Sequence, residues 1–303
     1  MPKRKSLARP PRILIASDQD HGLRDLESFL SRHGYSVHRM YAGTPVIKRA
    51  RSVRPDVVLL DAELADRQSL DLSRKLRDDP MVGASTPILL LVVGQPTAGD
   101  HVAALRAGIW ELLLQPLNAN DLLLKLDTYV LTKVEADRAP KDRVDTVTGL
   151  YTTAGLARRA RELIFQASQH STAVACVTFA PTLEVGPGAT AELVPEVVRV
   201  LKTHGRRSDA IGRVGPTEFA VVAPGTDAAG AVKLAQRFRR SVQAEATGQA
   251  SARARFALRA GCNAVGNVRD APVEPKDLLA RAARALQLAE AEGKWIRSWR
   301  ERP

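Results

Sequence analysis

Residues 204–219 read HGRRSDAIGRVGPTEF, and their reading decides how the C-terminal half folds. Before them runs a helical stretch, ELVPEVVRVLKTHG, which Pro195 interrupts early and Gly205 ends. Arg206 and Asp209, three residues apart, lead into a short strand, DAIGRV. A tip follows, made of Gly215, Pro216, Thr217 and Glu218, and Phe219 opens a second apolar strand, EFAVVAP. Two short apolar runs joined by a Gly-Pro tip predict a hairpin. Pro216 has no N–H to give to a ligand, and its φ is fixed.

Working outward, the segment DTVTGLYTTAGLARRARELIFQAS opens this half at Asp145 and turns helical. TAVACVTFA is an apolar strand, and PTLEVGPGAT is a Gly/Pro loop. DAAGAVKLAQRFRRSVQAEA is an amphipathic helix, ARFALRAGCNAV a strand, and EPKDLLARAARALQLAEAEGKW a last helix. The pattern predicts an α/β domain with a mainly antiparallel sheet over residues 145–303.

The N-terminal half alternates strand and helix. RILIAS, YSVHRM, PDVVLLD, TPILLLVVG and ELLLQP are the strands, with helical stretches between and after them. One of these helices starts at Thr44 and Pro45, and Gly34 caps another. Five strands with interleaved helices predict a doubly wound parallel sheet over residues 12–134. Such sheets place their sites at the carboxyl ends of the strands, where Asp18 and Asp61 fall. Residues 135–144 are polar, contain one Pro and read as a linker. Residues 1–11 form a basic tail, in which Lys3, Arg4, Lys5 and Arg9, with Arg12 just beyond, occur without an acid. A solvated tail is the expectation, with a nucleic-acid contact as the alternative.

Bulk composition agrees with two packed domains. The chain has 303 residues, 45% of them apolar, enough for two cores. No apolar run approaches the roughly 18 residues of a membrane span. The N-terminus lacks an apolar stretch after its basic residues, so a secretory signal is not expected, and two cysteines read as free thiols fit a cytoplasmic setting. Cys176 and Cys262 lie in apolar segments and read as buried free thiols. The net charge of +12 favours an anionic partner. Neither a helix-turn-helix nor a run of stacking aromatics is legible, so nucleic acid is not the expected one.

The N-terminal layout resembles a response-regulator receiver domain. In that family two adjacent acids after the first strand bind Mg2+, and here those positions are Ser17 and Asp18. The resemblance makes Asp61, in VVLLDAEL, the candidate phosphoacceptor. The Pro and Asp-Gly that usually follow are replaced by Ala65, Gln68 and Ser69. The switch hydroxyl falls on Val92, the switch aromatic on Leu112, and the Lys before the cis-prone Pro on Gln115. Phosphoryl transfer needs a hard cation and a cation such as Lys against developing negative charge. The resemblance, with these departures, implies a pseudo-receiver used for contacts within two-component signalling, with residual phosphorylation of Asp61 as the alternative.

The C-terminal half resembles a GGDEF domain, the fold of diguanylate cyclases. The opening motif D-x-L-T-G-L is met by Asp145, Thr148, Gly149 and Leu150, and the signature hairpin by Gly215, Glu218 and Phe219. Cyclases hold GTP with Mg2+ on carboxylates, a backbone tip and a Lys on the phosphates. The metal-binding Asp positions fall on Thr178 and Ala180, and the tip's second Gly and its Asp on Pro216 and Thr217. The phosphate Lys falls on Glu290. No metal site, no cofactor and no catalytic residue are expected, and the domain reads as a degenerate GGDEF domain. In the same family an R-x-x-D five residues before the tip is the inhibitory site (I-site) for cyclic di-GMP. Arg206 and Asp209 stand at that spacing, and Arg237 falls on the second Arg that joins it.

Chemistry supports that assignment. A guanine Hoogsteen edge offers O6 and N7 to a bidentate Arg. Its N1–H and N2–H2 suit a carboxylate, and a guanidinium plane stacks on a purine. The competing reading is a solvated surface ion pair between Arg206 and Asp209. The expectation is a non-enzymatic cyclic di-GMP receptor, bacterial, homodimeric by family habit, acting through an unidentified partner protein. Its alternatives are an active diguanylate cyclase with an atypical tip and a ligand-free scaffold.

Overall fold

The computed structural model describes residues 9–17, 21–41, 46–64, 69–79, 82, 85–138, 144–183, 193–248 and 256–299. Thr44, Pro45, Asp18, Ala65, Gln68, Lys3, Arg4 and Lys5 lie outside the described residues. The chain divides into two compact units, residues 1–139 and 140–303.

The first unit runs β1 (Arg12–Ala16), α1 (His21–Arg32), β2 (Ser36–Met40), α2 (Val46–Val53), β3 (Val57–Asp61), α3 (Ser69–Asp78), β4 (Ile88–Val92), α4 (Ala98–Arg106), β5 (Glu111–Leu114) and α5 (Ala119–Arg138). The strands pair in the order β2-β1-β3-β4-β5, all parallel. Every residue of β3 is buried, as expected of a central strand covered by helices on both faces. Helix α5 continues to Arg138, so the expected linker begins inside a helix. The basic tail is anchored where it meets the sheet. Arg9 forms a bidentate pair with Asp56 at 2.7 and 3.0 Å, and Asp56 also accepts the Arg12 backbone N–H at 2.8 Å. That departs from a wholly solvated tail: a buried carboxylate just before β3 holds the chain at the amino ends of the inner strands β1 and β3.

The second unit runs α6 (Thr153–Gln169), β6 (Val174–Leu183), α7 (Val194–His204), β7 (Ala210–Arg213), β8 (Phe219–Pro224), α8 (Ala228–Gly248), β9 (Phe256–Val265), α9 (Pro275–Ala291) and β10 (Ile296–Ser298). The sheet order is β10-β9-β6-β8-β7, antiparallel except where β10 runs parallel to β9. Its core joins Val177, Phe179, Val197, Leu201, Phe219 and Phe238. Pro195 does not interrupt α7: it lies in the first turn, where a missing N–H costs nothing. The start of the predicted Gly/Pro loop belongs instead to β6, which pairs with β9 as far as Leu183 and Phe256. Gly261 lets α9 lie on the sheet. A Cβ there would stand 2.1 Å from the Leu286 backbone N and 2.3 Å from the Ala282 carbonyl.

Both cysteines are buried free thiols. Cys262 shares the core with Val177, its partner across the β6–β9 ladder, while Cys176, next along β6, points to the other face.

Candidate functional site

Strand pairing brings the signature positions of the second unit together. The β6–β8 register sets Thr178 opposite Ala220 and Phe179 opposite Phe219, so the hairpin tip lies beside Ala180. The β6–β9 register sets Ala180 opposite Arg259, whose guanidinium is 3.7 Å from the Glu290 carboxylate. Thr178 is buried, and its hydroxyl contacts the Cys176 thiol.

The tip is closed on itself. The N–H groups of Val214 and Gly215 both donate to the Glu218 carbonyl, at 2.9 and 3.3 Å. The Glu218 carboxylate folds over Gly215, where a Cβ would stand 1.6 Å from Oε2. Arg213 caps the turn, donating from Nε to the Gly215 carbonyl at 3.2 Å and from Nη2 to the Pro216 carbonyl at 2.7 Å. Its Nη1 is 3.6 Å from Asp145. Asp145 in turn accepts the backbone N–H and the hydroxyl of Thr148, each at 2.7 Å. These bonds hold the Asp145 carboxyl below the usual carboxylate range, with the Arg213 charge adding to them. The turn ends at Gly149, whose φ of +65° favours glycine. Sequence reading missed Arg213; an Arg two positions before the tip glycine was the only signal.

Beside the tip, the R-x-x-D segment links α7 to β7. Arg206 is exposed and follows the helix cap at Gly205. Asp209 is half-buried and turns back rather than outward. Its Oδ2 accepts the Arg206 backbone N–H at 2.9 Å, and its own N–H donates to the Arg206 carbonyl at 2.9 Å. No ion pair joins the two side chains among the described residues; in place of the competing surface pair stands a carboxylate held by the backbone.

Helix α8 supplies the third member. Arg237 is half-buried, and its guanidinium is pulled below the ordinary arginine range. Burial is the first cause, the positive charge of Arg206 the second, and Asp209 opposes both. These mutual charge effects mean that Arg206, Asp209 and Arg237 share one neighbourhood. Nε and Nη2 of Arg237 are buried without a hydrogen-bond partner among the described residues. An orphaned buried donor costs about 1–3 kcal/mol.

In the first unit, the carboxyl ends of the strands carry a different arrangement. Asp61 is buried, and its Oδ2 accepts the Ser17 hydroxyl at 2.6 Å. Its Oδ1 accepts the Glu63 backbone N–H at 3.0 Å, and its carbonyl accepts the Ser69 hydroxyl at 2.5 Å. Gln115 precedes a cis Pro116, and both line a cavity of about 450 Å3 with Asp61, Leu91, Phe29 and Leu26. Val92 and Leu112 are half-buried and pack on the core.

A receiver-like parallel sheet followed by an α/β domain with this hairpin defines a two-domain class of signalling protein. The family described as "Diguanylate cyclase, GGDEF domain" matches residues 143–295, half of the chain, and the "Response regulator receiver domain" matches residues 13–127. The chain belongs to the GGDEF family and carries a receiver domain before it. Among curated proteins it is similar to the response regulator MprA of Mycobacterium ulcerans (strain Agy99), 31% identical over 129 residues, 42% of this chain and 54% of the relative. The chain spans about half the length of the curated relatives it matches. Among solved structures it is similar to the GGDEF domain of DgcB from Caulobacter crescentus in complex with c-di-GMP. That likeness is 13% identical, covers 54% of this chain and 96% of that one, and has a TM-score of 0.43. The signal receiver domain of an HD domain-containing protein from Pseudomonas fluorescens Pf-5 is 26% identical. It covers 44% of this chain and 97% of that one, with a TM-score of 0.39. Among the described residues no helix is long and apolar enough to cross a membrane.

Proposed function

We propose that this chain is a catalytically inactive cyclic di-GMP receptor. The dinucleotide binds at Arg206, Asp209 and Arg237, and the bound state is read through contacts with another protein. The observation that carries the proposal is that Nε and Nη2 of Arg237 are buried and unpartnered among the described residues, beside a backbone-held carboxylate and an exposed guanidinium. Two guanidiniums and one carboxylate match the acceptors and donors of a guanine edge. A ligand acceptor reaching Arg237 recovers the cost of its orphaned donors.

The absence of cyclase activity is supported by the donor set around the tip. At the positions that hold Mg2+ in cyclases stand Thr178, which is buried, and Ala180. Glu218 brings one carboxylate, folded over Gly215. These groups do not fit a divalent cation, which takes several hard oxygen ligands. Where a Lys would meet phosphate, Glu290 stands paired with Arg259. Incubation with GTP and Mg2+ is expected to yield no cyclic di-GMP; product formation above a no-protein control would overturn the inactive reading.

A receptor of this kind works only if ligand favours one arrangement over another. A homodimer whose association changes with ligand is the expected form, and sedimentation with and without cyclic di-GMP tests it.

A further inference from the structure

Helix α8 carries a second cluster that the guanine site does not use. Gln236, Arg239, Arg240 and Gln243 recur at helical spacing and share one face. With Trp295, which lies between α9 and β10, they line a cavity of about 360 Å3. The Arg239 guanidinium carbon stands 4.7 Å from the centroid of the Trp295 ring, a cation over an aromatic face. Stacking engages the plane of the guanidinium and leaves its edge N–H groups free to meet an oxyanion in plane. Nε of Arg239 is buried and has no hydrogen-bond partner among the described residues.

Trp295 is tied into the fold on its inner side. The Trp295 carbonyl accepts the Ala260 N–H at 2.8 Å, and the ring packs on the core. A preformed site loses less entropy on binding. Arg240 is exposed beside it, and neither arginine has an ion-pair partner among the described residues. Two positive charges draw an oxyanion. Gln236 adds an amide carrying both donors and an acceptor, which suits a sugar hydroxyl or a base edge. The volume lies within the roughly 300–1,000 Å3 usual for small-ligand sites.

We propose that this groove binds a nucleoside phosphate, its phosphate on Arg239 and Arg240, at a site separate from Arg206, Asp209 and Arg237. The test is calorimetric titration of the full chain with adenosine monophosphate, which lacks the guanine O6. Wild type and Arg206→Ala are expected to bind it with equal affinity. The double variant Arg239→Gln, Arg240→Gln is expected to bind at least tenfold more weakly while keeping its far-UV spectrum. Trp295→Leu, a second route to the same groove, is expected to weaken binding in the same direction. Absence of saturable binding to wild type, or equal affinity in the double variant, overturns the proposal. Inorganic phosphate binding as tightly as the nucleotide would refute the sugar and base contacts. A poly-glutamate peptide outcompeting the nucleotide at these residues would reassign the groove to an acidic protein partner.

Discussion

The Ser17 hydroxyl donates to Asp61 across 2.6 Å, and both residues are 2% exposed. A hydroxyl thus stands beside the candidate phosphoacceptor, at the position that the receiver resemblance gives to a metal-binding carboxylate. The bond uses one carboxylate oxygen, and the Glu63 N–H uses the other. Incubation with a small-molecule phosphodonor and Mg2+ is therefore expected to leave Asp61 unmodified by intact-protein mass spectrometry. Stoichiometric, Mg2+-dependent phosphorylation would show that the receiver still works. Ser17→Ala leaves a buried carboxylate short of a donor and is expected to destabilise the first unit by about 1–3 kcal/mol in a denaturant titration.

Asp56 ties the start of the described chain to the sheet. It holds Arg9 through two bonds and accepts the Arg12 N–H, and its side chain is 9% exposed while that of Arg9 is 42% exposed. The exposed end of the pair contributes little; the buried backbone bond decides the outcome. Asp56→Ala is expected to cost about 1–3 kcal/mol, and Arg9→Ala less than about 1 kcal/mol, read from denaturation midpoints. Equal effects from the two would show that the ion pair, not the backbone bond, carries the stabilisation.

The two thiols give a pH dependence with a definite sign. Burial pushes Cys176 and Cys262 up to about 12 each. The folded chain therefore keeps protons that the unfolded chain releases near pH 8.5. Their contribution to stability is fully present below about pH 8.5 and is lost progressively as pH rises toward 12. Both thiols are expected to resist a thiol-reactive dye at pH 8 in the native state and to react at once in denaturant. Rapid native labelling of either would contradict the burial.

Much of the fold was legible because the sheets are built from uninterrupted apolar runs. VVLLD and ILLLV announce buried parallel strands, and FAVVAP announces the buried β8. What escaped has physical reasons. β10 is three residues, IRS, half-buried at Ile296 and exposed at Arg297 and Ser298, with no apolar run to announce it; its pairing to β9 is a tertiary fact. Pro195 marks a boundary in either reading, and only the helix axis shows on which side it falls. In the candidate site, the resemblance to the GGDEF family singled out Arg206 and Asp209 at their distance from the tip. The inward turn of Asp209 depends on a backbone bond that spacing does not encode. Arg239 and Trp295 sit far apart in sequence, on α8 and after α9, and no local pattern joins them.

The central claim is tested most directly by titrating cyclic di-GMP into wild type and Arg206→Ala by calorimetry. Wild type is expected to bind saturably. The variant loses charge-assisted hydrogen bonds of about 1.5–3 kcal/mol, so its affinity is expected to fall roughly 10- to 100-fold. Arg237→Ala should fall in the same way. Equal affinity in wild type and Arg206→Ala, or no binding by wild type, would contradict the assignment of this site.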